Sequence, residues 1–295
     1  MTPVPTLSPH KSPAANHPAA MALRRLLKNR ASVFGLLLII IMLCSAIFAS
    51  WITPYNPIRG DLANDYVKPP SLLHIFGTDE IGRDIFTRVV YGGQISLRIA
   101  LLAQAMALTI GITVGMIAGY FGGWLDLLLM RFVDIIMAFP LLIIAIALTG
   151  VLGSSEVNII LALGLVNWTV TSRIVRSQVL AAKEMEYVTA ARALGANDRE
   201  LMLRHILPNI IGPVIVYATL GLGSIILAEA ALSFLGLGSA QQATPSWGKM
   251  LTESRAFIRS AWWMPFYPGL AILLTVLGFN LLGDGLRDAL DVRAN

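Results

Sequence analysis

Charge is scarce in this sequence: 13% of its 295 residues are Asp, Glu, Lys or Arg, where a soluble domain carries about 25%. With 56% hydrophobic residues and a mean hydropathy of +0.71, that scarcity excludes an ordinary soluble domain and indicates an all-α polytopic membrane protein. Cysteine occurs once, as Cys44 inside an apolar run, so neither a disulfide framework nor a C-x-x-C redox or zinc site is available. His10, His17, His74 and His205 are too scattered to suggest a metal site. No G-x-x-x-x-G-K-[ST] segment is present, which removes the phosphate-cradling loop and with it an ATP site in this chain. No residue is assigned a catalytic role, and no cofactor or metal is expected in the chain itself. The sequence pI near 9.6 comes from basic residues flanking apolar runs, where they set topology; nucleic acid is not an expected partner.

What is present is a series of long apolar runs. Residues 1–20, rich in Pro, Ala, Ser and His, lack apolar periodicity and are expected to form a disordered tail. Arg24, Arg25, Lys28 and Arg30 precede a first span, Val33 to Ile52, which is long enough to cross a core of roughly 30 Å. The run exceeds a signal-peptide core, so a retained anchor is preferred to a cleaved signal. Residues 53–96 are polar, and within them Gly77 to Asp84 places two glycines among acidic and basic side chains, which suits a tight, ion-paired turn. A second span is expected from Ile99 to Gly123, where Ala103, Ala107, Gly111, Gly115 and Gly119 recur every four residues as a helix-packing stripe. Span three follows Gly122-Gly123 and runs to about Gly150, kinked at Pro140, with Arg131 and Asp134 paired three residues apart. Span four covers Val157 to Val170 and continues as a basic helix, span five follows Pro208 to about Leu235, and span six runs from Trp262 to Leu282. Basic residues before span one, between 173 and 204, and in the tail place both termini in the cytoplasm and residues 53–96 outside.

The charged island between spans four and five carries the main functional signal. Tyr187 through Leu194 is rich in alanine and favours a short helix. Gly195 stops it by accepting a left-handed backbone, Asn197 with Glu200 starts the next helix, and Pro208 suits the first turn of the apolar run from Ile210. Small side chains let such a helix lie against a partner protein. Glu229, the sole acid between residues 206 and 248, is an intramembrane polar candidate, read first as an acceptor of hydrogen bonds between helices and second as a contact for a peptide amine.

Ala190, Ala191, Gly195, Leu207 and Pro208 match the spacing of the E-A-A-x-x-x-G…L-P loop of ABC importer permeases, with Thr189 at the Glu position and His205 at the Ile position. Gly77-Thr78-Asp79-Glu80-Ile81-Gly82-Arg83-Asp84, the run Glu229 to Gly238, and Pro245 to Leu251 also resemble the dipeptide, oligopeptide and nickel branch of that family. The resemblance implies a C-type permease subunit with about six transmembrane helices in the type I ABC importer fold. It implies an anchor helix and external segment over 21–96, and a transporter domain over 97–290 with a cytoplasmic coupling loop at about 184–208. Tyr187, Thr189, Ala190, Ala191, Arg192, Leu194 and Gly195 would meet the ATPase. Implied partners are a B-type permease in a heterodimer, two cytoplasmic ATPases that bind ATP and Mg, a periplasmic or lipid-anchored solute-binding protein, the peptide substrate and membrane lipid. The implied setting is a bacterial inner membrane.

Three other readings stay open at this point. The solute could be nickel, glutathione or another compound. A secondary transporter would use Glu229 as its proton or ion carrier, although the chain lacks paired Gly/Pro-broken helices in two halves. A scaffold without transport is compatible with composition alone.

Overall fold

The computed structural model describes residues 18–238 and 245–290. Most of the tail expected over 1–20 lies outside these residues. Its last three positions open a helix, α1 (Pro18–Lys28), because proline fits a first helical turn and the alanine-rich sequence after it favours helix. Asn29 then caps α2 (Arg30–Ile47), its Oδ1 accepting from the Ala31 amide at 3.0 Å. A short α3 (Ala49–Ile52) completes the first span, and α4 (Leu62–Asp65) lies in the segment after it.

Helix α5 (Ile85–Phe121) begins well before the charge-free run expected at Ile99. Asp84 starts it as the N-cap, with Oδ2 accepting from the Thr87 amide at 2.7 Å. The two arginines in its first turns, which the sequence reading kept out of a span, are neutralised by distant partners. Arg88 pairs with Asp79 and Glu253, and Arg98 makes a two-pronged contact with Glu156 at 2.6 and 2.7 Å.

The small-residue stripe of α5 lies against α8 (Glu156–Ala182). Ala103 and Ala107 are fully buried. A Cβ added at Gly111 would stand 2.5 Å from the Thr171 Cβ, at Gly115 2.6 Å from the Ser172 carbonyl oxygen, and at Gly119 2.8 Å from the Val179 Cβ. Contact positions rise together on both helices, so α5 and α8 run parallel. Gly115→Ala should therefore destabilise the protein by about 1–3 kcal/mol through overpacking, whereas Gly150→Ala, whose Cβ meets nothing within 4 Å, should not. Thermal unfolding of both variants in detergent checks this, and equal melting would remove the stripe's packing role.

Parallel neighbours require the chain to return between them, and α6 (Gly123–Met137) with α7 (Leu141–Leu152) makes that return. The two are bent by 83°, a sharper break than the kinked single span read from Pro140. Pro140 donates no hydrogen bond and disfavours helix at Phe139, and its carbonyl starts α7 by accepting from Ile143 at 2.9 Å. The local pair expected here is loose, with Arg131 Nη1 3.8 Å from Asp134. Asp134 instead pairs with Arg173 of α8, and Asp126 with Arg176 at 2.6 Å, because a packed helix brings its charges closer than a neighbour three residues away.

The last spans run antiparallel to their neighbours. The helical stretch Asp198–Leu237 comprises α10 (Asp198–Glu200), a π-helical turn (Leu201–Ile206), α11 (Leu207–Leu232) and a second π turn (Ser233–Leu237). α12 (Trp247–Glu253) and α13 (Trp263–Leu290) follow. Gly223 of α11 approaches Asn280 and Val276 while Gly283 meets Leu220, and Gly35 of α2 meets Leu281 while Gly285 meets Ser32. Among the described residues five helices are long and apolar enough to cross a membrane, and the bent pair taken as one span makes six. Residues 18–32, 119–126, 176–206 and 285–290 thus gather at one end of the bundle, with eight arginines, and residues 53–88 and 233–263 gather at the other, with five.

Candidate functional site

At the arginine-rich end the chain leaves α8, turns at Met185 and forms α9 (Glu186–Ala193). Gly195 closes that helix with φ of +92°. The Ala196 amide reaches the Ala191 carbonyl at 3.1 Å and the Gly195 amide the Arg192 carbonyl at 3.0 Å, the paired bonds of a glycine-terminated helix. Asn197 then caps the next helix, its Oδ1 accepting from the Glu200 amide at 2.9 Å.

That second helix does not stop before span five, as the sequence reading had it. It runs through the π turn into α11, where Pro208 sits in the first turn. Beside it, the His205 carbonyl accepts from Asn209 Nδ2 at 2.6 Å.

One buried anchor fixes α9 to the bundle. Val188 is fully buried in a cluster with Val175, Val179, Leu201, Ile206 and Ile210, and Ala191 and Ala196 pack against the same cluster. Tyr120 donates to Asp198 Oδ1 at 2.6 Å, and Lys183 Nζ donates to the Gly119 carbonyl at 3.2 Å. Of the residues read as facing an ATPase, Tyr187, Thr189, Ala190, Arg192, Leu194 and Gly195 are exposed, whereas Ala191 is half-buried and turned inward. Leu194 is 89% exposed, and no side chain or backbone lies within 4 Å of the Cβ position at Gly195. The sequence reading omitted Val188, whose signal was a lone β-branched residue in an alanine-rich helix, and Tyr120 and Asp198, which had no local signal.

The opposite end is closed by the glycine-bearing segment 77–88. Gly77 and Gly82 both have φ of +77°, and Thr78 bridges antiparallel to Asp84. Asp79 accepts from the Ile81 and Arg83 amides and from Arg83 Nε at 2.6 Å, and also from Arg88. Arg83 and Arg88 extend to Glu253, the last residue of α12, at 3.3 and 2.7 Å, which ties the segment to a distant part of the chain. Burial pushes the Glu80 carboxyl above the usual glutamate range, with Asp79 and Glu253 adding to the effect. Carboxylate oxygens of Asp79, Glu80 and Glu253 lie within 4.8 Å of one another, but the two arginines supply their counter-charge. His74, read from the sequence only as one of four scattered histidines, is buried with Nδ1 3.0 Å from Asp84.

Glu229 is buried on α11 and accepts from Ser233 at 2.8 Å and from Ser96 of α5 at 3.1 Å. Ser96 Oγ in turn accepts from the Trp247 amide at 3.3 Å, and Trp247 Nε1 donates to the Val89 carbonyl at 2.8 Å. The carboxylate therefore joins α5, α11 and α12. We expect Glu229→Gln to preserve assembly and most transport, and Glu229→Leu to cost about 1–3 kcal/mol by stranding buried hydroxyls. Yield and melting of the purified variants measure this; an inactive but normally assembled Gln variant would favour an ion carrier.

The residues at both ends can be compared with those of known proteins. The family model described as binding-protein-dependent transport system inner membrane component matches residues 111–295, more than half of the chain. The chain belongs to that family. The N-terminal transmembrane domain of oligopeptide transport permease C matches residues 17–70, which makes this permease C-type. The dipeptide transport system permease protein DppC of Alkalihalophilus pseudofirmus is 47% identical over 99% of this chain and 95% of its own length. The glutathione transport system permease protein GsiD of Escherichia coli O6:K15:H31 is 45% identical over 91% of this chain and 88% of its own. A solved chain of the MetNI methionine ABC transporter, in inward facing conformations, superposes with a TM-score of 0.56, at 19% identity, over 70% of this permease and 97% of that chain. That likeness carries the fold, the type I importer arrangement. The permease is a multi-span membrane component of an ABC importer.

Proposed function

We propose that this permease moves dipeptides or short oligopeptides across the inner membrane, driven by cytoplasmic ATPases that press on the exposed face of α9. The observation that carries the reading is the geometry of α9. Its outer face offers Tyr187, Ala190 and Leu194 to a partner, while Val188 is locked into the bundle. A push on this helix passes directly into α8 and α11, whose buried side chains surround Val188. ATP and Mg belong to the ATPases, and the chain itself carries no chemistry. A B-type permease completes the pathway, and a solute-binding protein delivers the peptide at the opposite end. The DppC and GsiD relatives support a short peptide with free termini as the solute.

Arginine-rich segments favour the cytoplasmic side, and this supports a reading in which α9 and both termini face the cytoplasm. A reporter fused near Asn197 should be cytoplasmic and one near Ala63 external; the same side for both would end the six-span orientation. Uptake of labelled dipeptide by cells expressing the whole system should fall when ATP is depleted and persist with an uncoupler. The reverse pattern would replace this reading with a gradient-driven carrier. Competition by glutathione separates the two peptide classes.

A further inference from the structure

The loop from Ser71 to Phe76 is built inside out for a segment surrounded by water. Its ionisable side chain, His74, is turned inward, 6% exposed, while Leu72, Leu73 and Ile75 are 102%, 76% and 60% exposed. Residues 69–76 contain no Asp, Glu, Lys or Arg. The outward pose is held by structure: the Ser71 amide donates to the His74 carbonyl at 2.8 Å, and the Gly77 amide donates to the same carbonyl at 2.9 Å. Ser71 Oγ accepts from the His74 amide at 3.1 Å. A loop facing only solvent places its polar groups outward, and clustered exposed apolar side chains mark a surface that something covers.

Its level relative to the membrane is fixed by the end of span one. Tyr55, just past Ile52, donates its hydroxyl to the Leu73 carbonyl at 2.8 Å, and its ring lies 4.9 Å from that of His74. Trp51, in the last turn of the span, is 86% exposed. The 18 residues of α2 cover about 27 Å at 1.5 Å each, so α3 and Trp51 lie where a core of roughly 30 Å ends. Trp and Tyr are favoured at that level. We propose that the loop Ser71–Phe76 is an interfacial anchor, with Leu72, Leu73 and Ile75 seated in the lipid surface beside Trp51 and holding the external segment flat on the bilayer. Lipid is the occupant because Tyr55 ties the patch to the end of span one, whose last turn exposes Trp51.

Single-cysteine variants Leu72→Cys, Leu73→Cys, Ile75→Cys and Ala63→Cys, made with Cys44→Ser, test the anchor. Each full-length chain, co-expressed with its transport system and placed in phospholipid nanodiscs, is labelled with a nitroxide, and its accessibility to oxygen and to a water-soluble nickel chelate is measured. Labels at 72, 73 and 75 should be several-fold more accessible to oxygen than to the chelate, and the label at 63 should show the reverse. Chelate access at all four positions would overturn the proposal in favour of a solvated loop. Protection of 72, 73 and 75 from both reagents would overturn it in favour of a covering protein subunit. In the chain without these cysteines, lipids brominated near the headgroup should quench more tryptophan fluorescence than in Trp51→Phe; equal quenching would show that the span does not end at the lipid surface and would overturn the anchor as well.

Discussion

Replacement of Gly195 by valine is expected to abolish uptake while leaving the chain at normal levels in the membrane. The residue has φ of +92°, and a β-branched side chain resists that conformation by about 1 kcal/mol or more. Space is not the obstacle, since an added Cβ would meet nothing within 4 Å. The strain falls on the two backbone hydrogen bonds that close α9, from the Gly195 amide to the Arg192 carbonyl and from the Ala196 amide to the Ala191 carbonyl, and so would displace Tyr187 and Leu194 relative to a docked ATPase. Gly195→Asn, which tolerates a left-handed backbone, should retain much of the uptake. Co-purification of the ATPases and their substrate-stimulated hydrolysis distinguish the variants. If both behave as the parent, α9 is only a linker. Ala191→Glu is the poorer probe, because Ala191 packs inward against the cluster around Val188 and its loss would disturb the fold before any docking.

Arg88→Met should be the most damaging single change at the opposite end, lowering stability by about 3–5 kcal/mol. Its side chain is 3% exposed and pairs with Asp79, 4% exposed, and with Glu253. Removing the guanidinium leaves a buried carboxylate that Arg83 alone must neutralise. Adding Asp79→Asn keeps the oxygen that accepts the Ile81 and Arg83 amides and removes the excess charge, so the double variant should recover part of the loss. Thermal unfolding in detergent reads both. Additive losses would mean that the two groups do not interact in the folded protein.

Where the chemistry is local, the sequence was readable. Gly195, Asn197 and the two glycines Gly77 and Gly82 act through their own backbone or the next few residues, and each takes the conformation its residue type favours. The stripe from Ala103 to Gly119 has the four-residue period of one helix face, and that face meets α8. Misjudged features depended on partners far along the chain. Arg88 and Arg98 lie before the expected start of span two at Ile99, and they enter α5 because Glu253 and Glu156 stand beside them. Asp134 was assigned to Arg131 because the approach of Arg173 comes from tertiary packing. Which side of α9 faces out could not be settled from alanines alone, since Ala190 and Ala191 differ only in where the Val188 cluster lies.

The broken return crossing bears on how the chain is made. Its halves have 15 and 12 residues, about 22 and 18 Å of helix, and neither reaches across a hydrocarbon core of roughly 30 Å. During synthesis they enter the bilayer carrying Asp126 and Asp134, whose partners Arg176 and Arg173 lie 50 and 39 residues further on. Until those arginines emerge, the glycine face of α5 has no helix to cover it, Asp126 lacks its partner and Asp134 has only the loose contact with Arg131. Insertion of residues 123–152 is thus completed by a helix translated after them, and a ribosome that stalls before residue 173 leaves a nascent chain in which this crossing has no settled place.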